Sequence, residues 1–194
     1  MRYLFFVIIF SSFFINCQKN DPQNGQENPI DTLPSPIDTA IIELGKGMVL
    51  KNGITWEAPF NAWYHINTHG KFQIRAEIMH SNLRSESFFL QDIPCSNGVY
   101  PIQFFPLLAN FNNGVPESAF IMMQDYDQPI GDFLIDTTRT DHFIEVIKYD
   151  STTQTVEGRF QVFLKKEPSN TVWPGVPDSI FLTEGKFHLK IQEP

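Results

Sequence analysis

The chain has 194 residues, with 14 Lys and Arg against 22 Asp and Glu, and a formal net charge of −8. That balance excludes a nucleic-acid binder, whose partner demands a basic face, and disfavours lying flat on anionic lipid. Two cysteines exclude a disulfide-stapled scaffold, so the chain must fold around an apolar core, to which 19 Phe are available.

Met1-Arg2 is a basic start, and Tyr3 to Ile15 is apolar apart from Ser11-Ser12. This length fits the ~7–15 residues of a secretory h-region and falls short of the ~20 needed to span a bilayer. Cys17 ends the run. The arrangement reads as a bacterial lipoprotein signal, with residues 1–16 removed and Cys17 acylated. The bulky Phe14-Ile15-Asn16 before the cysteine leaves two other readings open: a plain secretory signal cleaved nearby, or an uncleaved anchor. Each buried CH₂ contributes about 0.8 kcal/mol, and two or more acyl chains hold stably. Residues 17–40 carry the lipidated cysteine and a linker. Its Asn, Gln and Asp, with Pro22, Pro29, Pro34 and Pro36, cannot bury enough apolar surface to order it. It reaches at most ~70 Å extended, and nearer ~25 Å as a coil.

Residues 41–194 form one domain of common size. Ile41–Leu50 and Ile54–Ala58 are predicted strands, joined by the hairpin signal Asn52-Gly53. Lys71–His80 alternates cleanly, with Phe72, Ile74, Ala76 and Ile78 on one face and Gln73, Arg75 and Glu77 on the other. Further strands are predicted over Ser87–Ile93, Ser118–Asp125, Asp132–Asp136, His142–Tyr149, Val156–Lys165 and Ser179–Thr183. A last one carries Phe187, Leu189 and Ile191 inward. His142–Tyr149 and Val156–Lys165 read as a second hairpin. Gly158 and Gly185 fall inside strands and read as bulges or turn starts. Helical spacing is scarce, and Pro106 limits Phe104–Phe111 to about one turn. The fold class is all-β: one domain, an antiparallel β-sandwich or a partly closed β-barrel.

Several motifs recur in a recognisable order. Gly53-x-x-Trp56-x-Ala58 opens the domain, and Gly98-Val99-Tyr100-Pro101-Ile102 follows the alternating strand. Phe143-Ile144-Glu145-Val146-Ile147-Lys148-Tyr149-Asp150 then leads into Val156-Glu157-Gly158-Arg159-Phe160-Gln161-Val162, and Thr183-Glu184-Gly185-Lys186-Phe187 closes the chain. Over about residues 45–191 the chain resembles small β-rich lipoproteins of unknown function common in Bacteroidota. The resemblance implies a β-rich exported domain and brings no catalytic residues with it. In that lineage, acidic or lysine-containing residues after the lipid cysteine accompany surface display. Gln18-Lys19-Asn20-Asp21 is a loose match, and the periplasmic and surface faces both stay open.

No nucleophile elbow, zinc helix, P-loop or dinucleotide fingerprint occurs, so no catalytic residue is assigned. On a strand, a spacing of four would put His65 and His69 ~13 Å apart, too far to share one ion, and the pair reads as a solvated turn. Asp125, Asp127 and Asp132 are weak oxygen-ligand candidates. Counting from Asp125, an EF-hand loop would need Gly and Glu where Ile130 and Asp136 stand. An acidic turn around Pro129 is the plainer reading. No metal and no cofactor is expected. With Cys17 acylated, Cys95 has no partner for a disulfide and reads as a small buried hydrophobe. Trp173, Trp63 and Tyr64 are the ligand-binding candidates, as a sugar-stacking platform. Aromatics of a disulfide-free β domain also serve as core, and Trp173-Pro174-Gly175 sits in a loop that would display its ring.

These readings point to a non-catalytic binding or structural module on a lipid anchor at the outer membrane. The alternatives are a carrier of a small apolar ligand in a lipocalin-like barrel, and a surface hydrolase. The partners would be the membrane, through the anchor, and a protein, glycan or small molecule. Replacing the acceptor tests the anchor: labelled palmitate should enter the wild-type chain and not Cys17→Ser, and the variant should leave the membrane pellet. A labelled Cys17→Ser chain would refute the assignment.

Overall fold

The computed structural model describes residues 42–64, 70–81, 83–104, 116–124, 128–168 and 173–193. The expectations for Cys17, the linker, His65, His69, Asp125, Asp127 and the turn at 105–111 lie outside these residues. Alternation is the local rule that builds the strands. In β4 (Lys71–Met79), Phe72, Ile74 and Ala76 are buried between more exposed neighbours. The same pattern runs through β11 (Thr155–Lys166) and β12 (Ser179–Gln192). The remaining strands are β1 (Lys46–Lys51), β2 (Ile54–Trp56), β3 (Phe60–Tyr64), β5 (Arg84–Pro94), β6 (Gly98–Pro101), β7 (Gln103–Phe104), β8 (Glu117–Gln124), β9 (Gln128–Ile135) and β10 (Phe143–Asp150). No helix occurs among the described residues.

All strands belong to one sheet that folds over on itself. One stretch runs β2-β1-β12-β11-β10-β6, the other β3-β4-β5-β8-β9, with β7 along β8. The stretches meet at two corners, because β11 and β12 are long enough to serve both. The last residues of β12 pair with β3 (Ile191 opposite Ala62), and the last of β11 pair with β9 (Leu164 opposite Ile135). Pairing therefore closes a ring, β12-β3-β4-β5-β8-β9-β11. The fold is all-β, with facing sheet layers joined at both corners. The free edges, β2 and β6, are only 3 and 4 residues long, and β6 carries Pro101. Short edges and an edge proline limit pairing with other chains.

The sheet is mixed rather than wholly antiparallel. β3 continues in the direction of β2, which the β1–β2 hairpin has already reversed, so β3 meets β12 in parallel. To make this move the chain crosses β1 at Gly47, where any Cβ would collide with the Phe60 ring. The predicted hairpin is present. Asn52 and Gly53 have φ of 51° and 80°, the two positive values a type I′ turn requires. Asn52 also accepts the Phe181 N–H at 2.7 Å. The second hairpin is present as well. Asp150 accepts the N–H groups of Thr152 and Thr153 in the turn, which holds its carboxyl below the usual range.

Three expectations differ from the structure. Pro129 lies in β9, opposite Met123 of β8, and not in a turn. Ser179–Thr183 and the closing strand are one strand, because Glu184 (φ 54°) forms a bulge rather than a turn. One residue of β11 and one of β1 each face two of β12 there. The bulge shifts the phase, so Leu182 and Gly185 both face inward. The first strand also starts later than expected, at Lys46.

Phenylalanine fills the space between the layers. Phe72, Phe88, Phe120, Phe133, Phe160 and Phe187 are fully buried. Phe160 of β11 stacks on Phe88 of β5 with centroids 5.3 Å apart and an interplanar angle of 22°. Trp56 of β2 reaches Phe120 of β8 at 5.4 Å. At Gly158 an added Cβ would strike the Glu145 carbonyl oxygen and the Phe187 ring. The backbone atom cannot move without breaking the β10–β11 ladder. Gly158→Ala is therefore expected to lower the unfolding free energy by about 3 kcal/mol, read as a shift of the urea midpoint at unchanged slope. A shift near zero would contradict this packing.

Candidate functional site

The strands that bury phenylalanine inward present a different set outward. Trp63 lies opposite Gln73, and Arg75 lies opposite both Asn61 and Phe89. Between Phe72 and Ile74 the β4–β5 register shifts, because Asp92 (φ 58°) adds a residue to β5. Such a bulge bends its strand and increases the local twist. The result is an open concavity of about 370 Å³ on the outer face of β3, β4 and β5. It is lined by Trp63, Gln73, Ile74, Arg75, Phe89 and Gln91.

The lining combines ring faces with fixed polar groups. Trp63 and Phe89 are half-buried, so part of each ring stays open to solvent. The Arg75 guanidinium lies 5.1 Å from the Phe89 ring centre and donates to Glu77 at 2.8 Å. Glu77 in turn accepts from the Ser87 hydroxyl at 3.1 Å. Gln73 and Gln91 bring amide donors and acceptors to the same lining as the rings. Gln91 is opposite Glu117 of β8. Burial, and then the neighbouring Asp92 carboxylate, push the Glu117 carboxyl above its ordinary range, while Lys71 acts against the shift. The Lys71 ammonium lies 3.8 Å from Asp92.

Of the three ligand candidates, the structure brings only Trp63 to this concavity. Tyr64 is the next residue and points to the other face. It packs on the core, with its hydroxyl 3.2 Å from that of Tyr149. Trp173 is half-buried against the core beside Val176. Asp132 lies in β9, half-buried. Among the described residues no three His, Cys, Asp or Glu side chains gather as metal ligands do. Cys95 is half-buried, and burial pushes its thiol pKa up, away from the thiolate a nucleophile needs.

A second polar group lies at the end of the layers near the β1–β2 hairpin. Glu86 of β5 accepts from Trp56 Nε1 at 2.9 Å and from the Lys51 ammonium, with His80 Nε2 at 3.6 Å. The ammonium also lies 5.6 Å from the Phe120 ring centre. These contacts compensate one buried carboxylate and tie β1 and β2 to β5.

Gln73, Arg75, Phe89 and Gln91 are the site residues that sequence reasoning missed. The outward alternation of β4 was the signal for Gln73 and Arg75. Nothing local marks Phe89 and Gln91 as their neighbours, because that depends on which strands pair. The chain matches no family model, no curated protein and no solved structure.

The raised Glu117 carboxyl has a readable consequence. A raised pKa in the fold means that its stability contribution is complete at low pH, below the ordinary glutamate value of about 4.3. That contribution is lost as pH rises through the folded value, where the buried group must ionise. Glu117→Gln removes the loss. Its unfolding temperature should match wild type near pH 3.5 and exceed it at pH 7. Equal values at both would contradict the shift.

Proposed function

We propose that the protein is a lipid-anchored envelope protein of the outer membrane, acting as a non-catalytic binding module. Its contact face is the concavity of β3, β4 and β5. The observation that carries this reading is the outward grouping of Trp63, Phe89, Gln73, Gln91 and Arg75 on strands whose other face is packed core. A surface of this kind presents rigid rings with hydrogen-bonding groups beside them, as recognition sites do. Filling of the interior by buried phenylalanine rings favours a binding face on the outside over a ligand carried inside.

The test places a benzophenone side chain at Gln73, inside the concavity, or at Lys190, exposed on β12. In living cells the probe at position 73 should capture an envelope component on illumination, and the one at position 190 should not. Equal capture, or none from position 73, would overturn the reading.

A further inference from the structure

We propose that the ligand of the concavity is a neutral polysaccharide chain. This rests on the binding-module reading above and names its ligand. A sugar ring has an apolar C–H face and a rim of hydroxyls. It therefore needs a flat aromatic plane flanked by planar donors and acceptors. Trp63 offers the plane, and Gln73 and Gln91 sit across the sheet from it as the flanking amides. Phe89 is two strands from Trp63 and offset by two residues along them, thus about 12 Å away, and supplies a second apolar station on the same floor. Two stations at that separation suit a chain of several sugars better than a single ring. The concavity is open to solvent, as an extended polymer requires.

Competing ligand classes fit less well. An added peptide strand needs free backbone edges, and β4 is paired on both sides, with β3 and with β5. An apolar helix or acyl chain would lay hydrocarbon over Gln73, Gln91 and Arg75 and leave their polar groups without partners. A polyanion, whether nucleic acid or uronic-acid polymer, meets a chain of net charge −8. The cations on this face are already paired, Arg75 with Glu77 and Lys71 with Asp92, and Glu117 adds a further carboxyl at the Gln91 end. Charge thus selects the uncharged member of the class.

The trial is affinity electrophoresis of the full chain in detergent, through gels cast with amylopectin, galactomannan or mixed-linkage β-glucan. Polygalacturonate serves as the anionic comparison. At least one neutral polymer should retard the chain. Trp63→Ala should weaken that interaction by at least about tenfold, at an unchanged unfolding temperature. Gln91→Ala should weaken it several-fold, and Trp63→Phe, which keeps a ring on the same face, should retain part of it. The proposal is overturned if no neutral polymer retards the chain, if Trp63→Ala migrates as wild type does, or if polygalacturonate binds more tightly. If the polymers fail while the probe at Gln73 still captures a component, the glycan falls and the binding module stands. If both fail, both fall.

Discussion

The ring of Phe160 is the contact on which the architecture turns. It stacks on Phe88 from the facing layer, lies 6.3 Å from Phe60 at the β1 crossing, and lies 6.5 Å from Phe187 in the neighbouring strand. A Cβ on Gly185 would fall 2.6 Å from it. The same pairing of a ring with a bare backbone recurs twice, with Phe60 over Gly47 and Phe187 over Gly158. Each glycine removes the atom that would hold a ring away from the sheet. The layers then close to the distance at which rings from both sides touch. Strand glycines weaken a sheet in isolation. Here the packing they allow offsets that cost.

The outer concavity is a consequence of that interior. β4 has core on one face and the site on the other, and successive side chains alternate between them. Ile74 is buried and also reaches the floor of the concavity, so inner packing sets the height of the floor. The site residues sit on strands paired on both sides, which fixes their backbone before any ligand arrives. A site on paired strands loses little conformational entropy on binding. The bulge at Asp92 gives the curvature that a flat ladder would lack.

Charged residues elsewhere mostly serve the fold. Asp136 accepts the hydroxyl and N–H of Thr138, and Asp150 accepts the N–H groups of Thr153 and Thr152, which keeps both carboxyls low in pKa. Arg139 donates twice to Asp141 and covers the Phe163 ring at 3.6 Å. Glu145 and Arg159 pair across the β10–β11 hairpin. These are short-range arrangements in which each charge meets its counterpart beside it. They differ from the concavity, where aromatic and amide groups face outward together.

Much of the fold was legible in the chain because its signals are local. The alternation of Lys71 to His80, the Asn52-Gly53 turn and the β10–β11 hairpin each depend on a few neighbouring residues, and each is present as read. β3 and β6 were not recognised as strands: five residues ending in Trp63-Tyr64, and four containing Gly98 and Pro101, carry too little periodicity. The Glu184-Gly185 pair looks like a turn in sequence, and only pairing with β1 and β11 on both sides holds it extended. The site divides in the same way. The sequence by itself marked Trp63 as a candidate and determined which side chains alternate along each strand. Tertiary structure decided that Trp63 shares a floor with Phe89 and Gln91 while Tyr64 and Trp173 turn to the core. Register between strands is set by contacts distant in sequence, and no local pattern encodes them.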